Sequence, residues 1–133
     1  MLDFTPLQNA LDSLKRALDR SQKEPSDEEV RDAVIQRFEY SYELCFKMLK
    51  RQLEQESAFT ADIDQKPFKE LIREAAIKGL LKKPEKWFDY RRARNISSHT
   101  YDEDKAQQVY ESAVDFYPDA KELLDTLLKR NAT

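Results

Sequence analysis

The stretch Arg91-Arg92-Ala93-Arg94-Asn95-Ile96-Ser97-Ser98-His99-Thr100-Tyr101 holds three arginines, two serines, a tyrosine and the chain's single histidine. Histidine exchanges its proton near neutral pH, which makes His99 the candidate general acid or base. Arginine offers fixed charge and a bidentate edge to a phosphate oxyanion, and Arg94 is the candidate for that role. Arg91, Arg92 and Lys86 are weaker candidates for phosphate contacts. On a regular helix Arg94, Ser98 and Tyr101 share one stripe. Asn95 and His99 share the next stripe, with Arg91 one turn earlier. Arg94 and His99 stand about 140° apart around such a helix and ~7.5 Å apart along it. They converge on one ligand only if the helix ends or distorts between them. No base is placed for Ser97 or Ser98, so a serine nucleophile is not expected.

The same residues admit a structural reading. A histidine at a helix end can cap carbonyls or bind a carboxylate. Arg94 can pair with Glu39 or Glu43, and Tyr101 can pack at the start of the next helix with its hydroxyl bonded locally. The window from Lys78 to Arg94 carries seven basic and two acidic residues, a local charge of +5 in a chain of net charge −3. That window is either a phosphate-contact surface beside aromatics or a solvated helix face.

The elements that must carry this segment are helical. Thr5-Pro6-Leu7-Gln8 reads as a capping box with proline in the first turn, followed by the stripe Leu7, Leu11, Leu14 and Leu18 to about Lys23. Ser26-Asp27-Glu28-Glu29 opens a second, long helix. Its stripe is Val30, Val34, Phe38, Ser41/Tyr42, Cys45, Met48/Leu49 and Leu53, reaching about Glu56. Residues 57–66 read as a loop. A third helix follows from Pro67, with Phe68, Leu71, Ile72, Ala75 and Ala76 inward. It stops at Gly79, with Leu80 as the apolar contact of the stop. A fourth helix starts near Pro84, carries Trp87, Phe88 and Tyr90, and ends between Ser97 and His99. Thr100-Tyr101-Asp102-Glu103 caps the last helix, whose apolar face runs through Leu123, Leu124, Leu127 and Leu128. Pro118 removes the bond to the Val114 carbonyl, which predicts a kink or a restart near Tyr117. Trp87 and Cys45 read as core. The expectation is an all-α, antiparallel bundle of four to five helices in a single domain over 1–133.

The 133 residues include one glycine, one cysteine and one histidine, with 40% hydrophobic and 37% charged residues. One glycine excludes a phosphate-cradling glycine loop. One His and one Cys exclude a zinc site of the usual kind within one chain, and no metal site or cofactor is expected. The single cysteine forms no intrachain disulfide, and there is neither a signal peptide nor an 18-residue apolar run. A cytoplasmic protein that does not cross a membrane is expected.

Arg94, His99 and Tyr101 stand in the spacing R-x4-H-x-Y, and with Asn95 in the form RN-x3-H-x-Y. This segment near the fourth helix, and the early long helix with Phe38-Glu39-Tyr40-Ser41-Tyr42-Glu43-Leu44, resemble HEPN-domain proteins of the nucleotidyltransferase substrate-binding, HepT-like branch. The resemblance covers essentially the whole chain. It implies a dimerising helical bundle that associates with a minimal nucleotidyltransferase. In toxin–antitoxin versions it implies a metal-independent ribonuclease, silenced when the partner adds AMP to the motif tyrosine. Carried over, Arg94 and His99 are the ribonuclease pair, Asn95 is accessory, and Tyr101 is the AMP acceptor.

That chemistry has a physical basis. RNA carries its own nucleophile, the 2′-hydroxyl. Cleavage without metal then needs a proton-transfer group and a fixed cation on the phosphate. One chain supplies one histidine, so an acid–base pair of histidines requires a homodimer that joins two motifs in one cleft. The alternative is a noncatalytic module that docks a nucleotidyltransferase and positions its substrate.

Overall fold

The computed structural model describes residues 2–132, and six α-helices order them. They are α1 (Thr5–Lys23), α2 (Glu28–Glu56), α3 (Thr60–Asp64), α4 (Phe68–Ile77), α5 (Pro84–Ile96) and α6 (Glu103–Arg130), with one 3₁₀ turn over Ser97–His99. Cross-links fix the directions of the four long helices. The start of α2 meets the start of α6 through the Arg31–Glu103 ion pair. Their ends meet through Glu56 with Arg130 (2.6 Å) and Gln55 with Asn131 (3.0 Å). The end of α1 reaches α6 through Ser21 and Tyr110 (2.8 Å). Along α5, Lys82 pairs with Glu122, Tyr90 with Asp119, and Ser97 with Glu39. So α1 and α5 run against α2 and α6, which gives an up-down-up-down bundle with α3 and α4 set into the second connection, between α2 and α5.

None of the three predicted capping residues caps its helix; an aspartate one or two positions away accepts from the first-turn amides instead. α2 is capped by Asp27 rather than Ser26, its carboxylate accepting from the Glu29 and Val30 amides (2.9 and 3.2 Å). α6 is capped by Asp102 rather than Thr100, accepting from Lys105 (3.2 Å). At α1, Thr5 is already helical, and the Asp3 carboxylate takes its amide proton (3.0 Å). Aspartate wins in each case because an ionised acceptor answers both the orphan amides and the positive helix end. The loop read over 57–66 contains the short helix α3, which buries Ile63. α6 passes through Pro118 as one helix, so no restart occurs at Tyr117. Leu128 turns outward rather than joining the apolar face.

Gly79 stops α4 as its position suggested. It takes φ +81°, and the amides of Gly79 and Leu80 return to the carbonyls of Ala76 and Ala75 (3.0 and 2.8 Å). This is the paired bond pattern of a Schellman stop, with Leu80 buried behind it.

The core runs through all six helices, and its densest part is aromatic. Phe116 of α6 is ringed by Phe38 and Tyr42 of α2 and by Trp87 and Tyr90 of α5, at centroid distances of 5.0, 6.3, 5.8 and 5.3 Å. Trp87 and Cys45 are buried. Burial pushes the phenols of Tyr42 and Tyr90 well above their ordinary 10.0, and the Cys45 thiol well above its ordinary 9.0. Tyr90 is raised further by donating to the Asp119 carboxylate.

Above pH 9 the folded chain therefore keeps protons that the unfolded chain releases, so stability falls as pH rises from about 9 upward. Urea melts at stepped pH should show this slope. Tyr90→Phe should cost about 2 kcal/mol at pH 7, from the lost hydrogen bond to a carboxylate, and should flatten the slope above pH 10. An unchanged slope in that variant would refute the assignment.

Candidate functional site

The segment singled out in the sequence lies where α5 ends. The Ser97 amide returns to the Arg94 carbonyl, and the helix tightens from α to 3₁₀ over Ser97–His99. The helix boundary thus falls between Arg94 and His99, as convergence of the two requires. The backbone then crosses Thr100 and Tyr101 to the Asp102 cap of α6.

Arg94 faces the long helix. Its guanidinium bonds Glu43 through both Nε (2.9 Å) and Nη2, while Nη1 lies 3.8 Å from Glu39 Oε2 and 3.5 Å from Ser97 Oγ. The Ser97 hydroxyl is buried and sits 2.6 Å from Glu39 Oε2 and 2.7 Å from the Arg94 carbonyl oxygen. Both carboxylates named as structural partners for Arg94 are therefore engaged. The role of Ser97 as the link between Glu39 and the turn was not legible. Its only signal is a serine three residues after Arg94, which places its hydroxyl beside the Arg94 carbonyl.

His99 and Tyr101 form a second pair. His99 Nδ1 and the Tyr101 hydroxyl are 3.1 Å apart, and the two rings meet edge to face at 5.7 Å. The bond occupies Nδ1, and no hydrogen bond to Nε2 occurs among the described residues. Tyr101 is 83% exposed, so it does not pack at the start of α6, although its hydroxyl is bonded locally, to His99, as the structural reading expects. Within one chain, no hydrogen bond among the described residues joins Arg94 to His99. Asn95 is exposed on the same turn as Arg94.

The basic window is mostly neutralised. Lys78 pairs with Glu74, Lys82 with Glu122, Lys83 with Asp119, Arg92 with Asp89, and Arg94 with Glu43. Arg91 lies over the Phe68 ring at 4.0 Å, and Lys86 is exposed. Of the three weaker phosphate candidates, Arg91 and Lys86 are without an ion-pair partner among the described residues. No group of three or more His, Cys, Asp or Glu among the described residues is placed to hold a metal ion. No helix there is long and apolar enough to cross a membrane.

An up-down bundle that carries Arg, Asn, His and Tyr on the tightened exit of its fifth helix defines a class, the HEPN-type helical proteins. Within it the chain belongs to the family described as nucleotidyltransferase substrate binding protein like, whose model matches residues 2–129. A relative from Haemophilus influenzae (strain Rd), described as probable ribonuclease HepT, is 48% identical over 97 residues, which are 73% of this chain and 66% of the relative. The fold is similar to that of the Haemophilus influenzae protein HI0074, described as a substrate-binding domain of a nucleotidyltransferase. That match has a TM-score of 0.87 and 38% identity, and covers 95% of this chain and 99% of the other.

The Arg94 cluster faces water: the side chains of Arg94, Glu39 and Glu43 are 29%, 36% and 56% exposed. Ion pairs so placed contribute about 1 kcal/mol or less. Arg94→Ala should therefore lower unfolding stability by no more than about 1 kcal/mol, read from urea melts. A loss above about 3 kcal/mol would make Arg94 a structural keystone instead of a functional group.

Proposed function

We propose that this chain is a metal-independent endoribonuclease of HEPN type. In this reading it is the toxin of a toxin–antitoxin pair, works as a homodimer, and is silenced by a cognate minimal nucleotidyltransferase that adds AMP to Tyr101. The observation that carries the reading is the His99–Tyr101 pair. The only histidine of the chain is hydrogen-bonded to the hydroxyl of a tyrosine that stands exposed at the exit of α5. His99 Nε2 takes the proton of a 2′-hydroxyl or returns one to the leaving oxygen. Arg94 balances charge on the phosphate. A two-fold dimer brings a second His99, so that one acts as base and the other as acid. Asn95 helps orient the phosphate.

The same geometry supports control at Tyr101. A phosphate and an adenine joined to that oxygen would sit against the His99 ring, remove the Nδ1 partner, and repel an RNA phosphate. The helical fold, the family and the named relative support this reading. The noncatalytic docking module uses the same residues for binding alone, and RNA turnover separates the two.

Purified chain should cut single-stranded RNA in the presence of EDTA. Arg94→Ala and His99→Ala, folded by circular dichroism, should each lower the rate at least a hundredfold. An unmodified dimer that cuts no RNA at any concentration would leave the docking module as the function. Incubation with ATP and the neighbouring nucleotidyltransferase should add one or more AMP units, located at Tyr101 by peptide mass spectrometry and absent in Tyr101→Phe. Modification confined to any other residue would overturn the regulatory part.

A further inference from the structure

All the cation–ring contacts among the described residues fall on one surface cluster. Phe68, the first residue of α4, sits between Phe46 of α2 and Phe88 of α5, at centroid distances of 5.3 and 6.2 Å. The Arg91 guanidinium lies 4.0 Å from the Phe68 ring, and Lys69 Nζ and Arg73 Cζ lie 6.0 and 5.9 Å from the Phe88 ring. The three rings are half-buried: they pack on the core with one side uncovered. Arg91, Lys69 and Arg73 make no ion pair among the described residues. Yet α4 and α5 also carry Glu70, Glu74, Glu85 and Asp89, and the chain as a whole is acidic. Three cations without an ion pair among the described residues therefore lie directly against the aromatic surface.

This surface leads to the motif. Phe88, Arg91 and Asn95 are spaced three and four apart, so they share one stripe of α5. The stripe spans about 10 Å, the length of a few nucleotides stacked at about 3.4 Å.

We propose that Phe46, Phe68 and Phe88, with Arg91, Lys69 and Arg73, form a platform for unpaired bases of single-stranded RNA whose backbone continues to the Arg94–Tyr101 segment. The proposal rests on RNA being the substrate. Aromatic faces and an arginine plane accept any base by stacking, while the flanking cations take the phosphates. A protein partner or a second copy of the chain would match the apolar rings. A partner surface without matching carboxylates would leave the three cations desolvated and unpaired, whereas a polyanion satisfies rings and cations together.

The test uses the full chain and a 2′-O-methyl oligoribonucleotide that contains 2-aminopurine and cannot be cleaved through its 2′ position. Wild type should quench the 2-aminopurine on binding. Phe68→Leu keeps the apolar packing but loses the ring; it should relieve the quenching and weaken binding about tenfold. The double variant Lys69→Ser with Arg73→Ser changes two exposed side chains. It should weaken binding and reduce the slope of log K against log salt by about 1.4. No binding by wild type, or wild-type binding by both folded variants, overturns the platform. So does a change of oligomeric state in these variants with oligonucleotide affinity unaltered, which would make the cluster a contact between copies. Binding that depends on the platform without cleavage of any RNA overturns the ribonuclease reading and leaves the platform. Cleavage with affinity indifferent to both variants does the reverse.

Discussion

Phe116 is the point on which the bundle turns. A single ring from α6 is met by two rings from α2 and two from α5, three of the four at 5.0 to 5.8 Å. Phe38, Trp87 and Tyr90 meet it edge-on, the geometry that sets a ring's positive rim against another's negative face. Such contacts are directional as well as apolar, so they fix the rotation of α5 about its axis and not only its distance. Tyr90 adds a polar lock by donating to Asp119 and to the Asp115 carbonyl. Because α5 cannot roll, the residues one to two turns beyond Tyr90 have defined directions. Arg94 meets α2, and the chain leaves toward α6 through a tightened turn.

That rigidity governs the electrostatics at the exit of α5. Glu43 takes the Nε and Nη2 edge of Arg94, the edge best suited to a bidentate anion. A phosphate has to displace this carboxylate or approach from Nη1, which looks toward Glu39 and Ser97. The clamp preorganises the guanidinium and also lowers the net charge a ligand meets. Its members are partly solvated, so the exchange of one oxyanion for another costs little desolvation.

Much of the architecture was legible because the rules that produced it are local. The stripes in α1 and α2, the glycine stop after α4 and the proline start of α5 each depend on residues within a few positions. The caps were displaced because Ser26 and Thr100 compete with nearby aspartates, a contest that a capping-box pattern does not weigh. Helix α3 was hidden because its only core anchor is Ile63, too little for a periodic signal. Pro118 stays within a helix because the apolar face on both sides of it, from Val109 to Leu127, is packed against the bundle and outweighs one lost hydrogen bond. At the site, the partners of Arg94 could be named because the long helix carries Glu39 and Glu43 four residues apart, on one face. The aromatic and cationic cluster was not seen, because its members come from three helices whose adjacency is a property of the fold.

The Asp102 cap has a consequence for the direction in which a strand can lie across the turn. It is followed by Glu103 and Asp104, while α5 approaches the turn through Arg91, Arg92 and Arg94. Arg92 and Arg94 are paired with Asp89 and Glu43, and Glu103 with Arg31, so the step in potential at His99 rests on Arg91 upstream and on Asp102 and Asp104 downstream. A uniformly charged polymer crossing such a step feels a net force toward one side. The two ends of a bound strand are then inequivalent within each chain, which is a physical basis for polarity even where no base is read.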